Sequence, residues 1–247
     1  VLGSAPSPTS TYAGADGETV TVDWADYPGE AGVDADAVRA APDQDELEPV
    51  ARELIERVRA AIEAEGSVVM APVEREGTWF DDDNWFAADG NGYGGESMYV
   101  TLNCCDLESE SVPAPDAWRG VLDAASAVTE EFGLGPLVLD HESDAMTADA
   151  DWAADYAEQY CNLPGGGCWA WYATAYGDSQ WISLAIRDSS RDPSGDALAE
   201  AEQFDWPVAS VSLSYGATVI RAGMREAFDA ALAPFEGLEQ PAPTTSD

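Results

Sequence analysis

The sequence predicts an α+β protein: a mainly antiparallel sheet with two to three amphipathic helices packed on one face, stapled by disulfides. Three observations carry this. Met98, Val100, Leu102 and Cys104 alternate with Tyr99, Thr101, Asn103 and Cys105, the period of two that marks a half-buried strand. Apolar residues recur at helical spacing in two long stretches, 50–62 and 118–132. Cysteines stand at 104, 105, 161 and 168, an even number, and no pair has the C-x-x-C spacing of a zinc or redox site.

The elements follow in chain order. Residues 1–15 read as a disordered N-terminal linker because Pro, Ser and Thr dominate them. Residues 16–236 read as a single α+β domain and 237–247 as a disordered tail. Residues 19–24 alternate as a short strand. A helix begins near Asp45, where carboxylates suit the positive end of the helix dipole and Pro49 is tolerated in the first turn. Val50, Leu54, Ile55, Val58, Ala61 and Ile62 form its stripe, and Gly66 ends it. Extended segments at 67–72 and 74–80 precede a loop rich in Gly and Asp. After the central strand a second helix spans 116–132, with Trp118, Val121, Leu122, Ala125 and Val128 on one face and Gly133 at its close. A short strand at 136–139, a hairpin of 169–176 with 180–187, a strand at 208–220 and a helix at 222–235 complete the chain.

The charge balance narrows the function. Forty-eight Asp and Glu face ten basic residues, a formal net charge of -38. All ten are arginine. Nucleic-acid affinity rests on cationic side chains neutralising phosphates, so nucleic-acid binding is excluded as an expectation. No apolar run is long enough for a transmembrane segment. A lysine-free, Ala-rich composition points to a high-GC genome, actinobacterial or haloarchaeal.

The cysteines indicate disulfides in an oxidising compartment, hence an extracytoplasmic protein, secreted or on the cell surface. With a single histidine, a Cys/His zinc site has few ways to form. Adjacent cysteines close a small ring that strains the peptide link, so Cys104 and Cys105 are each expected to bond Cys161 or Cys168. Val1, Leu2 and Gly3 resemble the end of a bacterial lipoprotein signal, with Ser4 where the lipidated cysteine would stand. A lipid anchor on the native N-terminus is therefore an expectation.

Candidate sites divide into three kinds. Gly177-Asp178-Ser179 has the look of an esterase nucleophile block, but the one histidine, His141, lies upstream of it, and the tripeptide suits a hairpin turn. Asp140-His141-Glu142 places an imidazole between carboxylates, which suits acid–base work or an ordinary polar loop. Asp81, Asp83, Asp89 and Asn91 form the best candidate for a cation, since Ca2+ takes several oxygen ligands on a flexible loop; otherwise no cofactor is expected. Trp79, Trp85 and Tyr93 in the same loop are the candidate ligand-binding aromatics, with core packing as the competing role.

The order of a helix at 47–62, a strand at 99–104 ending in Cys104, a polar turn, and a helix at 118–132 closing on Gly133-Leu134 is similar to that of small actinobacterial envelope lipoproteins of the mycobacterial LppA type. Cys105 and the aromatic strand at Trp169 depart from that pattern. The resemblance implies an envelope-anchored α+β domain without assigned chemistry. The preferred reading is thus a secreted or lipid-anchored, non-enzymatic cell-envelope domain that binds a ligand, an envelope protein or cell-wall polysaccharide. The alternative is an extracellular hydrolase of carbohydrate or ester bonds that works through carboxylates.

Overall fold

The computed structural model describes residues 6–244, so the lipoprotein-like start at Val1 to Ser4 lies outside the described residues. The described chain forms two compact units, one of residues 6–49, 81–102 and 217–244, the other of 50–80 and 103–216. Nine strands stand among the described residues: β1 Thr9–Ala13, β2 Thr19–Asp23, β3 Ala71–Pro72, β4 Trp85–Ala87, β5 Tyr99–Glu108, β6 Val138–Leu139, β7 Ala170–Tyr176, β8 Gln180–Asp188 and β9 Ala209–Ile220. β1 and β2 pair separately, and the other seven form one sheet in the order β3-β5-β9-β8-β7-β6, with β4 also on β5. The β1–β2, β3–β5, β4–β5, β6–β7 and β7–β8 pairings are antiparallel. Thr9–Ala13 lies within the stretch read as linker, yet it pairs in register with Thr19–Asp23.

The helix content corrects the expectation. Seven α-helices stand among the described residues, not two to three on one face: α1 Ala35–Ala40, α2 Leu47–Gly66, α3 Trp118–Glu131, α4 Asp144–Ala148, α5 Ala150–Tyr160, α6 Asp196–Phe204 and α7 Arg225–Leu232. The long helices α2 and α3 fall where their apolar stripes place them. Four of the other five, α1, α4, α5 and α6, are short and lie in acidic stretches, where few turns leave little periodicity to read. Their starts are set by caps. Asp34, Ser143 and Asp149 accept hydrogen bonds from the first free N–H groups of α1, α4 and α5.

β5 carries a second correction. Val100, Leu102 and Cys104 are buried as expected, but the next buried residues are Cys105 and Leu107, so the inward phase slips by one. Cys105 causes the slip: its φ is 70°, a left-handed conformation that acts as an extra residue in the strand. Cys104 and Cys105 therefore share a side and bond each other, and Cys161 bonds Cys168. The expected cross-links between the two pairs are not formed.

In the first unit Trp24, Tyr27, Tyr93, Tyr99, Phe228 and Phe235 make an aromatic core with Val38 and Ile220. Arg225 closes it, donating to Asp43 Oδ1 and to the carbonyls of Arg39 and Ala41. Residues 237–244, read as a tail, are bound to this unit. Gln240 accepts from Gly32 N at 2.8 Å and donates to Tyr27 Oη and the Val33 carbonyl, and Tyr93 Oη donates to the Pro241 carbonyl. In the second unit the core is built by Ile182, Leu184 and Ile186 of β8, Val211 and Leu213 of β9, and the buried stripes of α2 and α3.

Candidate functional site

The aromatic, Asp-rich loop turns part of itself inward. Trp79 and Tyr93 are each 1 % exposed and Asn91 is fully buried. Asn91 Nδ2 donates to the carbonyls of Trp24, Ala25 and Tyr27 at 2.8–3.1 Å, and Oδ1 accepts from Tyr93 N and Gly95 N at 2.9 and 3.0 Å. Both lone-pair directions of Oδ1 are thereby occupied by amides, so this oxygen is not offered to a cation. Gly95 is required by the same packing, because a Cβ there would lie 1.7 Å from the Ala25 carbonyl oxygen. Asp81, Asp83 and Asp89 are exposed, and they do not converge into a group of three ligand atoms. Trp85 is half-buried in β4 opposite Leu102.

A groove forms in the second unit. On β7, β8, β9 and β5 the buried Ala173, Leu184, Leu213 and Leu107 alternate with Tyr172, Thr174, Ser183, Ser212, Ser214, Asp106 and Glu108. The alternation gives the sheet a second, polar face, and these residues, with Val73 and Asp140, line a cavity of about 450 Å³. A cavity of about 480 Å³ is lined by Tyr160, Trp169, Tyr172, Arg187, Asp192 and Trp206, among others. A third, of about 330 Å³, is lined by Asp140, Trp152, Tyr156, Tyr160 and Tyr172. Tyr172 belongs to all three. The three cavities thus adjoin at this residue, and the Arg187–Glu108 ion pair at 3.8 Å joins the lining of the first two.

Local structure fixes the groove's side chains. Trp169 N donates to the Tyr160 carbonyl and Trp169 Nε1 to the Gln159 carbonyl, tying the end of α5 to the start of β7. The Cys161–Cys168 bond closes the loop between them, in which Gly165, Gly166 and Gly167 all take positive φ. Tyr160 then lies 5.2 Å from the Tyr172 ring and 5.5 Å from Trp169, distances of direct aromatic contact. Asp192 accepts from Ser194 N, Ser194 Oγ and Ala197 N, and so fixes the entry to α6. At the end of α6, Phe204 stacks on Trp206 just beyond it at 4.9 Å, with about half of each exposed.

Electrostatics separate the groove's acids. Burial pushes the Asp140 carboxyl above the usual range, with His141 opposing the shift. Burial, then the neighbouring Glu74 and Glu108 charges, push Asp106 the same way. Burial acts upward on Asp192 too, but the Ala197 and Ser194 donors outweigh it and hold this carboxyl low. Tyr172 is raised by burial and by Tyr160. Such a lining offers flat apolar ring faces beside hydrogen-bond acceptors and hydroxyls, which is chemistry for a polyhydroxylated ligand.

His141 sits in a 3-10 turn at Asp140–Glu142, with its ring 5.6 Å from Tyr156. One ligand atom from each of His141, Cys161 and Cys168 lies within 4.8 Å of the others. Residue spacing carries no signal for this group, because the turn and the end of α5 bring together residues that form no motif. The groove was legible only in part: Tyr172 lies in the aromatic strand 169–176, whereas Tyr160 and Trp206 come from α5 and the segment after α6, and the α5–β7 tie unites only the first two.

No family model and no curated protein matches the chain. A solved structure does. The chain is similar to the crystal structure of LppA from Mycobacterium tuberculosis, at 7 % identity and a TM-score of 0.41, over 86 % of this chain and 90 % of that one. This distant structural match is to the type whose layout the sequence resembles.

Proposed function

We propose that the protein is a secreted or lipid-anchored cell-envelope domain that binds rather than transforms its ligand, and that the ligand is cell-wall polysaccharide held in the groove around Tyr172. The observation that carries this is the meeting of three cavities at one aromatic residue, with Tyr160 beside it and Trp206 exposed at the margin. Sugar C–H faces stack on such rings, and sugar hydroxyls donate to carboxylates such as Glu158 and Glu200 that line the same cavity. The surrounding negative charge favours an uncharged glycan over a polyanion. Two disulfides support an oxidising, extracytoplasmic location.

Trp206→Ala and Tyr172→Ala, titrated with soluble cell-wall glycan fragments and followed by tryptophan fluorescence and calorimetry, test the reading. Loss of a stacked ring is expected to weaken binding about tenfold. Trp206→Ala should leave the melting temperature unchanged, since half of that side chain already faces solvent. Unaltered affinity in both variants would remove the groove from consideration.

A second reading, hydrolysis of a glycan or ester, is favoured by one observation: Asp106 and Asp140, both raised by burial, line the same cavity. Release of reducing ends from the same fragments, abolished by Asp140→Asn, would establish it over simple binding.

A further inference from the structure

The lone histidine and the Cys161–Cys168 disulfide stand together in a way that glycan binding does not use. His141 Nδ1 is buried and meets no hydrogen-bond partner, which is costly for an imidazole unless something occupies that direction in another state. The three ligand atoms already lie within 4.8 Å of one another. A tetrahedral Zn2+ with sulfur at 2.3 Å spaces its ligand atoms about 3.8 Å apart. Opening the S–S bond and parting the sulfurs by less than about 2 Å therefore gives the ligand separations that such an ion needs. The loop that carries both cysteines contains three consecutive glycines with positive φ, around each of which a Cβ would meet no atom within 4 Å, so it has room to adjust.

We propose that His141, Cys161 and Cys168 form a redox-gated site for a thiophilic divalent cation of the Zn2+ class, closed while the disulfide is intact and opened by its reduction. A dithiol donor supplies two electrons and two protons. The protein's S–S bond breaks, two thiols form, and the donor becomes a disulfide. The cation then displaces both thiol protons and takes two thiolates and the imidazole, with a fourth position left to water.

The test uses the full chain, in a Cys104→Ser/Cys105→Ser background so that the other pair supplies no thiol. Protein reduced with dithiothreitol and desalted without oxygen is titrated with Co2+, whose thiolate charge-transfer and tetrahedral d–d bands report the ligand set. One equivalent should bind to the reduced protein and none to the oxidised protein, with Zn2+ displacing it. His141→Ala should weaken binding by more than about 100-fold, beyond what loss of an outer partner costs. The same comparison of His141→Ala against unmodified chain, without the serine substitutions, decides the matter if the background does not fold. Absence of a thiolate band, equal binding by the oxidised form, equal affinity in His141→Ala, or unfolding on reduction as seen by circular dichroism would each overturn the proposal.

Discussion

Asn91 holds the first unit's loops by saturating both ends of one amide on backbone groups. Asn91→Ala leaves three carbonyls and two N–H groups without that partner in a buried place, and we expect a loss of about 3 kcal/mol in urea unfolding. Asp192 acts comparably at the start of α6. Its folded carboxyl is held low, so its contribution is present above the unfolded value and disappears as pH falls through the folded one. Asp192→Ala should therefore cost about 1 kcal/mol at pH 7 and progressively less on acidification, read from melting temperatures across pH 2–7. These two residues also show where sequence reading stops. Asn91, Trp79 and Tyr93 lie among Gly and Asp, a composition shared by surface binding loops and by loops folded inward. For Asn91 the inward choice is made by carbonyls of Trp24, Ala25 and Tyr27, more than sixty positions away in the chain.

At the scale of elements, α2, α3, the β7–β8 hairpin and β9 were legible because each is long enough for its periodicity to show. The short capped helices were not, and neither was the disulfide connectivity. Alternation put Cys104 and Cys105 on opposite faces of β5, whereas a left-handed residue at 105 puts them on one. Non-reducing peptide mapping should recover Cys104 and Cys105 in one peptide with an internal bond, unlinked to any peptide containing Cys161 or Cys168. A peptide joining the two pairs would contradict the described connectivity. Reduction should also loosen the α5–β7 loop. Its closure by a seven-residue separation contributes less in chain entropy than the long cross-links expected from sequence.

For the whole molecule the dominant quantity is the charge of -38, which repels itself at any ionic strength that leaves it unscreened. Arginine pairs offset part of this. Arg59, for instance, meets Glu56, Glu63 and Glu76 at 3.3–3.6 Å, but half-exposed pairs of this kind contribute at most about 1 kcal/mol each. Repulsion wins, so added NaCl is expected to raise the melting temperature, by about 2–4 °C for each kcal/mol of repulsion screened. A flat or falling response would mean that the ion pairs dominate. Composition made this property readable at once, while the groove showed only as an aromatic strand at 169–176, because its other walls come from α5, β5, β8, β9 and the residues after α6. The phase slip at Cys105 bears on how the chain tolerates changes of length. Removing one residue of β5 outside the Cys104–Cys105 pair, with the left-handed turn at 105 kept, would turn one end of the strand inside out, as by exchanging Leu107 with Asp106. Removing one of the two cysteines, a single variant whichever is counted as lost, restores strict alternation from Tyr99 to Glu108 and leaves a lone buried thiol, so the Cys104–Cys105 pair is where a one-residue deletion keeps the strand's two faces intact.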